Sequence, residues 1–154
     1  MKKWKWAAVL VVALILTRAE HTGSSINDLE PVETVLVTIK EGNVVLQTDT
    51  GAKGVGNNLE KAIENLHSSA SGVVFLDTAQ NLLVSSQTEE LLVELIRWIR
   101  PAAHVCLIRE DLDLTEVTGY LRVHPPKVQL KDIRAGERNL QVLYFKEGRG
   151  QIAQ

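Results

Sequence analysis

A chain of 154 residues with 45% apolar side chains can bury one sizeable core and little more, so a single domain is expected. A formal net charge of -2 supplies none of the long-range positive field on which non-specific nucleic-acid binding depends, and nucleic acid is not an expected partner. The single cysteine, Cys106, rules out an intrachain disulfide and leaves the compartment to be read from other features.

The N-terminus carries that information. Lys2, Lys3 and Lys5 precede an uncharged run from Trp6 to Leu16, and Thr17, Arg18 and Ala19 follow before Glu20. This is the grammar of a signal peptide, assigned to residues 1–19. The 11 residues of the run would cover about 16 Å as a helix, roughly half of a hydrocarbon core. Trp4 and Trp6 with the lysines suit a membrane interface, so residues 4–17 either anchor the chain or are removed by cleavage after Ala19. No cysteine stands near the end of the run, which excludes lipid attachment by the bacterial lipoprotein route. An extracytoplasmic location, secreted or membrane-anchored, is expected.

Residues 20–33, polar and turn-forming with Pro31 near their end, read as a linker. The globular domain is assigned to 34–154. Val35, Val37 and Ile39 alternate with Thr34, Thr38 and Lys40, while Leu36 is also apolar, which predicts a strand covered on both faces. Glu41, Gly42 and Asn43 turn the chain, and Val44 to Thr50 return, completing a β-hairpin. Gly51, Gly54 and Gly56 read as a loosened loop leading into a helix whose Leu59, Ala62, Ile63 and Leu66 form one apolar stripe. Val73, Val74, Phe75 and Leu76 begin a β-type run.

Three helix starts share one capping device: Asn57 with Glu60, Ser86 with Glu89, and Asp113 with Glu116. The second helix is expected at about 87–100, stopped by Pro101, and the third at 114–123, stopped by Pro125 and Pro126. Val105 to Ile108 read as a buried strand, Val128 to Leu130 as a short edge strand, and Gln141 to Lys146 as the last strand. The order implies an α+β domain of layered α/β type: a mixed sheet with an N-terminal β-hairpin and about three helices packed on it.

Chemistry is sparse. The glycines run G-x-x-G-x-G with Lys53 inside, neither a Walker end nor the dinucleotide fingerprint, so a turn into the helix is the reading preferred over a phosphate cradle. Cys106 with His104 offers a nucleophile and base, but its neighbours Val105, Leu107 and Ile108 mark it as a small buried residue. His21, His67, His104 and His124 lack metal-ligand spacing. Asp77 and the Glu110, Asp111, Asp113 cluster are candidates for carboxylate chemistry or cation binding, although a solvated capping loop accounts equally for the cluster. Trp98 reads as core, core margin or a partner-facing patch. No catalytic, cofactor or metal residue is assigned.

The run Gly54-Val-Gly56-Asn-Asn58-Leu-Glu-Lys-Ala62-Ile-Glu-Asn65-Leu66, followed by Gly72, Phe75-Leu76 and Leu82-Leu83-Val84, resembles the first domain of Ger(x)C-type spore germination proteins, the C subunits of nutrient germinant receptors. The likeness covers roughly residues 33–123. It departs from the family pattern in lacking the lipid-accepting cysteine and the later domains, and in having Thr78 where a histidine and Ser85 where a glycine is common. The resemblance implies an extracytoplasmic, non-enzymatic domain that packs on a protein partner, in a sporulation or germination setting. The competing expectation is an exported small-ligand binder or hydrolase-like enzyme using the glycine or acidic loop.

Overall fold

The computed structural model of the protein describes residues 29–146 and 148–153, so the expected leader and most of the expected linker lie outside the described residues. The strands are β1 (Leu29–Pro31), β2 (Thr34–Lys40), β3 (Asn43–Thr48), β4 (Lys53–Gly56), β5 (Val73–Phe75), β6 (Asn81–Ser85), β7 (His104–Ile108), β8 (Gln141–Lys146) and β9 (Arg149–Ala153). The α-helices are α1 (Leu59–Ser69), α2 (Leu92–Leu95), α3 (Leu114–Val123) and α4 (Leu130–Arg134). Seven strands form one mixed sheet in the order β4-β3-β2-β6-β7-β8-β9. β2, β6, β7 and β8 are mutually parallel; on one side β3 pairs antiparallel with β2 and β4 antiparallel with β3, and on the other β9 pairs antiparallel with β8. The expected mixed α/β sheet with its hairpin and packed helices is therefore present. None of the described helices is long and apolar enough to cross a membrane.

The hairpin turns at Glu41 and Gly42, both with positive φ (53° and 76°), the primed geometry whose twist matches that of the two strands. Strand alternation then sorts β2 between two cores. Val35 and Val37 meet α1, α2 and α4 on one face, together with Leu82, Val84 and Val105. Leu36 meets α3 on the other face, with Leu83, Cys106, Leu143 and Phe145. A buried hydrogen bond of 2.7 Å from the Thr118 hydroxyl to that of Thr34 ties α3 to β2. The bidentate pair between Arg122 and Glu33, at 2.8 and 2.9 Å, adds a second tie near the surface.

The glycine segment is a strand, where a loop was expected. Gly51 makes the turn after β3 with φ 92°, but Gly54 and Gly56 lie inside β4, paired with Leu46 and Val44. Their missing side chains let the backbone of α1 rest directly on the strand: a Cβ at Gly54 would meet the Ala62 carbonyl oxygen and approach the Leu66 amide nitrogen to 2.5 Å. The same helix closes the sheet's edge. Asn65 Nδ2 donates to the Val55 carbonyl at 2.6 Å and Ser69 Oγ to that of Lys53 at 2.7 Å, leaving those edge acceptors unavailable to another strand.

Other boundaries move for local reasons. The cap of α1 is Asn58, one residue later than expected, whose Oδ1 accepts from the Lys61 amide at 2.9 Å. The expected helix over 87–100 is broken into a 3-10 stretch, Ser86–Leu91, and the single turn of α2. The Thr88 hydroxyl reaches the Val37 and Ser85 carbonyls at 3.1 and 2.9 Å, pinning the segment to the ends of β2 and β6. The short strand expected at 128–130 is one bridge, Gln129 to His104, followed at once by α4. Gln129 and Asp132 form a capping box there, which outweighs the weak β-signal of Val128. Within the expected linker, Leu29–Pro31 pairs in parallel with β5, and β9 adds a strand the sequence reading lacked. Thr78 secures this entry: its hydroxyl accepts from the Val32 amide at 3.1 Å and lies 2.7 Å from the Phe75 carbonyl.

Candidate functional site

In open sheets with parallel strands, ligands settle in the crevice beyond the carboxyl ends of the strands. Here the carboxyl ends of β2, β6 and β7 frame an open recess of about 550 Å³. Lys40 contributes from β2, Ser85 and Ser86 from the end of β6, and Arg109, Glu110 and Asp111 from the turn after β7. Lys40 Nζ lies 3.0 Å from Asp111 Oδ1, but both side chains are largely exposed, so the pair contributes little to stability. Two cations and two carboxylates line the recess, giving it mixed polarity without a strong field of one sign.

Beneath this rim Thr38 is buried, and its hydroxyl has no hydrogen-bond partner among the described residues. A buried, unpaired hydroxyl costs on the order of 1–3 kcal/mol. Thr38→Val, which keeps the shape and removes the polar atom, should therefore raise stability by about 1 kcal/mol, read as a higher urea midpoint. A lower midpoint would show that the hydroxyl is satisfied in solution.

The other residues singled out by sequence are dispersed. Asp77 sits in a 3-10 turn, Leu76–Thr78, before the amino end of β6, and Gly51 lies beyond the end of β3 that pairs with the amino end of β2. The acidic loop lies past the carboxyl end of β7, at the opposite end of the sheet. Within that loop Asp113 caps α3, accepting from the Thr115 and Glu116 amides at 2.9 and 3.3 Å, while Asp111 is the partner of Lys40. Among the described residues no group of three His, Cys, Asp or Glu side chains is placed to hold a metal ion. His21 lies outside the described residues, and His67 is exposed in the last turn of α1.

Cys106 is fully buried, and desolvation pushes its thiol up to about 12. His104 directs Nδ1 to the Pro126 carbonyl at 2.6 Å, so its ring is held by backbone. A thiol kept in its neutral form is a poor nucleophile. Gly54 and Gly56 offer no cradle to phosphate, because the backbone of α1 fills the space over them. Trp98 and Val93 are exposed, at 38% and 55%, on the outer side of the broken helical segment, a surface position consistent with the partner-facing alternative.

Sequence reasoning missed Thr38, Lys40, Ser85 and Arg109 because each sits at the end of an apolar strand, where a polar residue ordinarily marks only the strand's boundary. It also missed Asp49, whose carboxylate accepts from the Glu33 amide at 3.2 and 3.3 Å. Desolvation raises the pKa of that carboxyl, and the charge of Glu33 adds to the effect. No family model, curated protein or solved structure matches this chain.

Proposed function

We propose that the chain is an extracytoplasmic interaction domain, secreted or tethered by its leader, that binds a protein partner through its surface and makes no covalent change in it. The sporulation or germination setting belongs to the same proposal and rests on the Ger(x)C resemblance alone. One observation carries the reading: the chain enters the domain at the end of the sheet opposite the recess. β1 leads directly to the amino end of β2, where the Glu33 carbonyl accepts from the Gln80 and Asn81 amides at 2.8 and 2.9 Å. The recess lies at the far ends of strands of five to seven residues, about 16–23 Å away. A leader held in a bilayer would keep the entry end near the membrane and turn the recess outward to a partner. The mixed charges of Lys40, Arg109, Glu110 and Asp111 suit the polar rim of a protein interface.

Truncation tests the tether. The chain beginning at Leu29, which keeps β1, should fold with the circular dichroism of an α/β protein and remain in the soluble fraction, whereas the full chain should sediment with membranes or be exported. Recovery of the full chain with its leader intact among soluble cytosolic proteins would overturn the proposal. So would membrane association that survives removal of residues 1–28.

A further inference from the structure

On the α3 face of the sheet, beside the β8–β9 hairpin, a second recess of about 420 Å³ has aromatic walls. Glu116 and Tyr120, four residues apart, share a stripe of α3, with Val123 in its last turn and His124 as its C-cap, while Phe145 stands on β8. The Tyr120 ring meets Phe145 edge-on, with centroids 5.8 Å apart and an interplanar angle of 62°. It tilts against His124 at 4.9 Å. Val123, 71% exposed, forms an apolar lip.

Gly150 sets the posture of Tyr120. It faces Phe145 across the β8–β9 ladder, and a Cβ there would come within 2.6 Å of the ring's Cε1 and Cζ. The ring thus lies across bare backbone, supported from behind. The charges are sorted by strand alternation: Phe145 and Gly150 belong to this face, while the pair Lys146 and Arg149 falls on the other. Glu116 supplies the carboxylate at the recess, with Tyr120 and Phe145 beside it.

Aromatic faces attract cations within about 6 Å of the ring centre, and most effectively cations that are weakly hydrated. A carboxylate beside the rings adds a counter-charge, and an apolar lip favours methyl groups over a water-coated ammonium. We propose that this recess binds a small soluble alkylammonium compound of the quaternary or N-methylated kind, seated against the half-buried Tyr120 ring and the Val123 lip, with buried Phe145 backing Tyr120 and exposed Glu116 as its counter-ion. The site is separate from the recess at the carboxyl ends of β2, β6 and β7, and does not depend on the proposed partner there.

The test is a titration of the full chain with choline, followed by NMR or calorimetry, beside 3,3-dimethyl-1-butanol, which has the same shape without the charge. Choline should bind saturably with a Kd of roughly millimolar order, and the neutral compound on the order of tenfold more weakly. Glu116→Gln should weaken choline by about tenfold and leave the neutral compound unchanged. Gly150→Ala, which displaces the Tyr120 ring while keeping both the ring and the charge, should weaken both. Equal binding of the two compounds, no saturation by choline, or an unchanged choline affinity in Glu116→Gln would each overturn the proposal. Competition by phosphatidylcholine vesicles, absent with phosphatidylglycerol vesicles, would replace a free amine by a lipid head group as the source and overturn the soluble-ligand assignment.

Discussion

Gly54→Ala should cost the domain more than about 3 kcal/mol, a large share of the 5–15 kcal/mol that typically holds such a fold together. The new Cβ would collide with the Ala62 carbonyl oxygen and stand 2.5 Å from the Leu66 amide nitrogen and 2.7 Å from Leu66 Cβ. These are atoms of a helix whose Leu59, Ile63 and Leu66 are fully buried, so relief requires α1 to lift as a unit from β4. Lifting it would expose leucine and isoleucine side chains worth about 1.5–3 kcal/mol each. It would also break the bonds from Asn65 and Ser69 to the edge carbonyls. Gly56→Ala should behave alike, since its Cβ would lie 2.6 Å from the Lys61 carbonyl carbon. Gly119→Ala is the control: nothing lies within 4 Å of its Cβ position, and alanine inside α3 should add about 0.5–1 kcal/mol of stability. Urea denaturation followed by circular dichroism reads all three, and a Gly54→Ala midpoint equal to the parent's would refute the account of α1 packing.

Cys106 should be almost inert to thiol reagents in the native protein and react freely in denaturant. It lies on β7 between Leu83 of β6 and Gln141 of β8, fully buried beneath α3. Labelling therefore needs an opening of the central sheet. If that opening is as costly as about 5 kcal/mol, the native rate should fall by roughly 10³–10⁴ relative to the unfolded chain. The same thiol makes stability depend on pH in a definite direction. Its folded pKa is raised to about 12 by desolvation, above the ordinary 9.0. Between those values the unfolded chain releases a proton that the native state retains. The stabilising contribution is thus whole below about pH 9 and is lost as the pH rises towards 12. Rapid reaction with Ellman's reagent at neutral pH, without denaturant, would contradict this burial. In Gly54→Ala the protection of Cys106 should shrink in step with the lost stability, since both report on the same core.

The elements legible in the sequence are those whose causes are local. Asp113 accepts from amides two and three residues ahead of it, so the start of α3 follows from a few neighbouring side chains. The β2–β3 hairpin follows from a turn at Glu41 and Gly42 between alternating apolar residues. The stripe of α1 follows from helical spacing. In contrast, β4 contains Lys53, Gly54, Val55 and Gly56, a poor strand by propensity, and it becomes one only because α1 and β3 hold it. The segment after β6 has the pattern of a long helix, yet Thr88 binds the Val37 carbonyl 51 residues away, and the segment winds as 3-10.

Neither recess was legible for the same reason. Thr38, Ser85 and Arg109 are far apart in the chain and meet only because β2, β6 and β7 lie side by side with a common direction. Tyr120, Phe145 and Gly150 meet only because α3 crosses to the β8–β9 hairpin. By itself the sequence determined where apolar periodicity, caps and tight turns fall, because their energies act within a few residues. Tertiary structure alone decided which glycines must stay bare, that the Thr38 hydroxyl lacks a partner among the described residues and which rings share a recess, because those outcomes depend on which surfaces the completed sheet presses together.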